Sequence, residues 1–154
     1  MPDISSMRDT DYVNQKRELL FVADLQENDQ SNVEHAPRSL LKRSLTILHD
    51  LGYKLVVEGD IATTFFNQKY KKISKDFGKL SAITDHNNSF NSLYSQINDD
   101  FLNKIKTASK MSQIHINSIL GNDSHGQFSF SFDHSDPITY CDNISIFKLV
   151  NHVY

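Results

Sequence analysis

The stretch from Leu120 to His134, L-G-N-D-S-H-G-Q-F-S-F-S-F-D-H, constrains the fold more than any other part of the chain. Side chains on a strand leave alternate faces, so Gln127, Ser129 and Ser131 share one face while Phe128, Phe130 and Phe132 share the other. Three phenylalanines on one face require an apolar layer to cover them. The opposite face of the strand carries only an amide and hydroxyls. Ahead of it, G-N-D-S-H-G is dense in turn residues and Q-I-H-I-N-S-I-L reads as another strand, so the pattern predicts an antiparallel hairpin.

The remaining elements fall into place around that hairpin. Residues 1 to 16 are polar and irregular, with Pro2 near the start, and read as an extended or frayed arm. Arg17 to Gln26 holds a short apolar run with β-branched and aromatic content and predicts a buried strand, followed by a turn at E-N-D-Q-S-N. Pro37 opens a helical pattern in which Leu40, Leu41, Leu45, Leu48 and Leu51 recur every three or four residues, and Gly52 stands where a helix stops. This helix is expected to bury one face. Tyr53 to Phe66 predicts a second strand, broken near Gly59. N-Q-K-Y-K-K-I-S-K-D-F-G-K then concentrates lysines but has no arginine to fork onto phosphates, and reads as a solvated connector rather than a nucleic-acid patch. From Phe90 the spacing is helical again, with Phe90, Tyr94, Ile97, Phe101, Ile105 and Ala108 on one stripe of what should be the longest helix. A last helix begins at Pro137, its stripe running through Ile138, Cys141, Ile144 or Ser145, and Lys148 or Leu149. Strand, helix, strand, helix, hairpin, helix is the order of an α+β layer: a mostly antiparallel sheet with helices packed on one face.

Gross composition excludes several classes. The 154 residues suit one domain, and a net charge of -3 gives no global attraction to nucleic acid or to an anionic membrane. No apolar run approaches the roughly 20 residues that span a bilayer, and Met1 to Arg8 has no apolar signal core, so a cytoplasmic location is expected. Cys141 is the single cysteine, which leaves no intramolecular disulfide and no Cys-rich metal site.

Three pieces, in order, carry a family resemblance. The first runs from L-L-F-V-A-D-L-Q-E-N-D through A-P-R-S-L-L-K-R-S-L, Leu19 to Leu45. The second is L-G-Y-K-L-V-V-E-G-D-I-A-T-T-F-F, and the third is G-N-D-S-H-G-Q-F-S-F-S-F-D-H-S-D-P-I-T-Y-C-D-N-I-S-I-F-K. Together they resemble the glutamine synthetase superfamily, most closely its γ-glutamylpolyamine synthetase branch: a strand-turn-"APRxxLxR" entry to the catalytic domain, an E-x-E strand, and a G-x-x-Q-x-E strand leading to an Asp, a helix and an F-K pair. P-D-I-S-S-M-R at the start is similar to the family's Pro- and Asp-containing loop. The resemblance implies an arm over residues 1–16 and, over 17–154, a partial catalytic domain, truncated and degenerate. It also implies ATP-dependent ligation of glutamate to an amine, with two Mg²⁺ or Mn²⁺ ions as cofactors, and assembly into rings.

The departures from the pattern bear on activity. Where the resemblance places E-x-E, the chain has Asp60 and Ala62; the Glu after the strand's Gln becomes Ser129; the Glu ahead of the strand becomes Asn122 or, shifted by one, Asp123. Hard divalent cations need oxygen ligands, chiefly carboxylates. At about 4 Å and an effective dielectric near 20, one carboxylate is worth about 4 kcal/mol per charge product, doubled for a divalent ion. Ala62, Asn122 and Ser129 supply none of this. The family's remaining ion ligands, a His and a Glu, and its phosphate-binding arginines are expected in segments beyond Tyr154. Phosphoryl transfer depends on positioned cations and electrostatic stabilisation. The expectation is therefore a chain without bound metal or ATP and without ligase activity, which associates with a full-length synthetase or with itself. Residual ligase or ATP-binding activity through Asp60 and Asp123, or a decaying gene product with no selected role, are the alternatives.

Other candidates have plainer readings. His115, His125 and His134 could meet on the hairpin around Zn²⁺, but His125 belongs to the turn and His134 lies past the strand, so surface or turn histidines are expected. Cys141 could be a nucleophile beside one of them; its place in the helical stripe predicts core packing. Asp60 could bind a cation weakly or cap backbone groups. Asp85 and His86 read as a helix start rather than an acid-base pair. Gly121 to Gly126 lacks the Lys-Ser/Thr of a P-loop.

Overall fold

The computed structural model describes residues 1–9, 19–68, 80–84 and 99–151. Its elements are β1 (Arg8–Asp9), β2 (Leu19–Leu20), α1 (Pro37–Asp50), β3 (Asp60–Thr64), α2 (Asp99–Met111), β4 (Ile116–Gly121), β5 (Gln127–Phe132) and α3 (Pro137–Asn151). The hairpin forms as its alternation requires. β5 is the central strand of a three-stranded antiparallel sheet in the order β3-β5-β4, and β1 and β2 make a separate antiparallel pair. The phenylalanine face of β5 is buried, and with Leu102, Ile105 and Ala108 of α2 and Ile146, Phe147 and Val150 of α3 it forms the core. Phe147 packs on two of these rings, its centroid 5.1 Å from that of Phe130 and 4.9 Å from that of Phe132. The architecture is thus α+β, an antiparallel sheet covered on one face by helices, as the sequence predicts.

Local chemistry sets the element ends. Pro37 occupies the first turn of α1, where its missing N–H costs nothing. At the other end Gly52 adopts φ +83°, and the Tyr53 and Gly52 N–H groups donate to the Leu48 and His49 carbonyls at 2.9 Å each, a Schellman closure. At α3, the Asp136 carboxylate accepts the N–H groups of Ile138 and Thr139 at 3.1 Å and caps the helix. In the β4–β5 turn Gly126 has φ +69°, and a Cβ there would lie 2.6 Å from the Phe65 carbonyl oxygen. Only glycine fits both constraints.

Several expectations are corrected. α1 buries no residue fully: Leu40, Ile47 and Leu51 are exposed, because α1 packs on α3 as an outer element instead of entering the core. The stripe expected on α3 is turned outward. Cys141, Ser145, Lys148 and Leu149 are exposed while Asp142, Ile146, Phe147 and Val150 are buried, so Cys141 is not a core residue. Among the described residues of the Arg17–Gln26 run, strand pairing covers Leu19–Leu20, with isolated bridges from Ala23 to Pro2 and from Gln26 to Asn32. Residues 1–9 of the expected arm are tied in: Pro2 bridges Ala23, and Arg8–Asp9 pairs with Leu19–Leu20. In Tyr53–Phe66 the ladder is confined to β3, after the expected break at Gly59, while Val57 bridges Ser135. The helix expected from Phe90 is described over Asp99–Met111 as α2; Phe90, Tyr94, Ile97, Asp85, His86 and the lysines from Lys69 to Lys79 lie outside the described residues.

An ion cluster joins the N-terminal segment to the helices. The Arg38 guanidinium bonds Asp142 through Nε and Nη2 at 3.2 and 2.7 Å, Asp24 at 2.9 Å and Asp3 at 2.8 Å, and Lys42 adds a 2.6 Å contact to Asp24. Among the described residues no helix is long and apolar enough to cross a membrane.

Candidate functional site

The polar face of the sheet gathers the positions that the family resemblance assigns to an ion. Ala62 of β3 lies directly opposite Ser129 of β5, and Asp60 lies opposite Ser131. On the other side of β5, Leu120 faces Ser129, and Asn122 follows at the start of the turn. Ala62, Asn122 and Ser129, separated by up to 67 positions in sequence, therefore sit at one place on the sheet.

The chemistry of that place is neutral and internally satisfied. The Asn122 Nδ2 donates to Ser129 Oγ at 2.9 Å, and the Ser129 hydroxyl faces Asn122 Oδ1 at 3.2 Å. One register step along, the Ser118 hydroxyl donates to Ser131 Oγ at 3.0 Å. These pairs account for the two hydroxyls on the polar face of β5: Ser129 and Ser131 each use a neighbour as partner. Among the ladder residues of this face Asp60 is the one carboxylate, and it is exposed. Its charge, after burial as the larger cause, helps to hold the Tyr140 phenol above its ordinary pKa. Asp123 is exposed in the turn. Ala62 has no donor atom, the Asn122 and Ser129 oxygens are neutral and engaged with each other, and the two carboxylates of the set, Asp60 and Asp123, are both exposed, a poor match to the anionic oxygens that a divalent ion takes.

The histidines divide. His125 is in the β4–β5 turn, whereas His115 and His134 line one small cavity at the opposite end of the hairpin, with Tyr140 and Asn143 of α3. Among the described residues no group of three or more His, Cys, Asp or Glu side chains could hold a metal ion. Cys141 opens onto an apolar cavity of about 350 Å³ between Val22–Leu25, the start of α1 and α3. The sequence reading passed over Arg8, Tyr140 and Asn143; Arg8 reaches Asn143 across 135 positions, a separation that leaves no local signal.

Comparison with known proteins bears on the family and the fold. Residues 34–153, most of the chain, match the family described as the glutamine synthetase catalytic domain. GmaS in complex with ADP superimposes with a TM-score of 0.77 at 19% identity, over 97% of this chain and 33% of that one. A novel glutamine synthase homolog gives 0.75 at 14% identity, over 97% and 33%. Plasmodium falciparum glutamine synthetase gives 0.71 at 14% identity, over 99% and 35%. The chain thus spans about a third of the length of these structures. No curated protein matches it in sequence. With the family's catalytic-domain pattern running through α1, the sheet and α3, the chain belongs to the glutamine synthetase family.

Proposed function

We propose that this chain is a glutamine synthetase-like catalytic-domain unit that does not form γ-glutamyl phosphate and works by association, with a full-length synthetase or with a second copy of itself. One observation carries the reading: Ala62, Asn122 and Ser129 converge on the sheet and offer no anionic oxygen. At a dielectric near 20, each missing carboxylate removes about 8 kcal/mol of attraction to a divalent ion before desolvation is counted. Neutral oxygens do not replace that. Association is supported by the surface, where Leu25, Ile47, Leu51, Tyr53, Val56, Leu120 and Leu149 are each more than half exposed.

Three measurements test the reading. Calorimetric titration with Mg²⁺ and ATP should give no saturable heat, and a γ-glutamyl ligase assay should give no product. Saturable Mg²⁺-ATP binding that Asp60→Ala abolishes supports residual activity instead. Sizing alone and with a full-length synthetase should show self-association or co-elution, and a monomer that ignores the synthetase argues against the associating role.

A further inference from the structure

Arg8 is an anomaly for a structural side chain. It is 8% exposed, and among the described residues its guanidinium meets only uncharged acceptors: the Ser5 and Met7 carbonyls at 3.3 and 2.9 Å, and Asn143 Oδ1 at 3.0 Å. Its Nε has no hydrogen-bond partner, and no carboxylate pairs with it among the described residues. A buried cation without a counter-anion is costly, and its field is poorly screened.

Asn143 connects Arg8 to a cavity of about 160 Å³ between the end of β5 and α3. The bond from Arg8 fixes the amide of Asn143, because Oδ1 must face the guanidinium and Nδ2 is left to point elsewhere. Gln113, His115, His134, Ser135 and Tyr140 line the same cavity. All can donate, and Ser135 Oγ is shielded from solvent without a partner. Asp133 stands on the cavity wall, Asp136 follows Ser135 and spends its carboxylate on the cap of α3, and Asp60 and Glu58 act on Tyr140; all four are exposed, so water screens them better than it screens Arg8, while the buried Asp142 next to Asn143 is paired with Arg38. The volume leaves room for a small oxyanion.

From these groups we infer that the cavity formed by His115, His134, Ser135, Tyr140 and Asn143, backed by the buried Arg8, binds a small oxyanion, a phosphate or a carboxylate. The site is separate from the neutral sheet face and does not depend on the function proposed above.

The test is a titration of the ¹⁵N-labelled chain with inorganic phosphate and, in parallel, with acetate, at ionic strength held constant with chloride. Saturable shifts centred on the Asn143 side-chain amide and on His115 and His134 are expected; the stronger of the two probes identifies the tetrahedral or the planar ligand. Responses no different from chloride, or centred elsewhere, overturn the proposal. Asn143→Asp discriminates further, since it gives Arg8 a carboxylate while removing the amide donor and adding a repelling charge. It should weaken binding at least tenfold without lowering the unfolding midpoint, and undiminished binding in this variant contradicts the site. His134→Leu is read in the same way should Asn143→Asp fail to fold.

Discussion

Replacing Arg38 with methionine isolates the largest ion cluster among the described residues. The substitution keeps the apolar stem and removes four charge-assisted hydrogen bonds, two to Asp142 and one each to Asp24 and Asp3. Asp142 is left buried at 8% side-chain exposure with no cation, whereas Asp24 keeps Lys42 at 2.6 Å, and Asp3 and Asp24 remain about a fifth exposed. Breaking a buried pair costs about 3–5 kcal/mol, and solvent access for two of the three partners places this case near the lower end, about 3 kcal/mol at pH 7. The loss should depend on pH. Hydrogen bonds from Ser5 and then Arg38 hold the Asp3 carboxyl well below the usual carboxylate range. Burial would raise that of Asp24, but the bonds from Lys42 and Arg38 outweigh it and lower it. A depressed carboxyl contributes stability above its unfolded pKa, near 4, and that contribution is lost as pH falls through the folded value. The gap between wild type and Arg38→Met should therefore narrow as the pH is taken well below 4. Urea unfolding at pH 7 and in acid reads both quantities. Pairing Arg38→Met with Asp142→Leu should recover much of the loss, since apolar replacement of both partners removes the orphaned charge. A loss under about 1 kcal/mol at pH 7, or one that does not change with pH, refutes the reasoning.

Two further substitutions test local structure. Gly126→Ala should destabilise by about 2 kcal/mol or more in urea unfolding, because it combines a left-handed φ with a Cβ 2.6 Å from the Phe65 carbonyl; a neutral result shows that the turn relaxes freely. Asp136→Ala removes the cap of α3 and should cost about 1 kcal/mol. The Asp136 carboxyl is lowered overall, burial pushing it up and the Thr139 and Ile138 bonds outweighing that, so this cost should also shrink as pH falls through the carboxylate range.

The contrast between what the sequence shows and what it hides has a physical basis. Strict period-two alternation at Gln127–Phe132 has one solution once three phenylalanines need cover, so the hairpin and the core face were legible. α3 was not, because Ile138, Ile144, Ile146, Phe147, Leu149 and Val150 put apolar residues on several sides and periodicity cannot choose among them. What selects the buried side is the aromatic contact from Phe147 to Phe130 and Phe132, a tertiary fact. A-P-R-S-L-L-K-R was readable as a family string, yet the task of its arginine was hidden, since Asp3, Asp24 and Asp142 lie 35, 14 and 104 positions away. At the candidate site the substituted residues themselves were legible. Their mutual satisfaction, Asn122 against Ser129 and Ser118 against Ser131, needed the register.

Titration with Mn²⁺, followed by the electron paramagnetic resonance of the free ion, tests the ion deficit most directly. The wild-type chain should leave Mn²⁺ free up to millimolar concentration, while Ala62→Glu/Asn122→Glu/Ser129→Glu, which restores three carboxylates at one place on the sheet, should bind it. One-to-one, micromolar binding by the wild type that disappears in Ser129→Val would contradict the account.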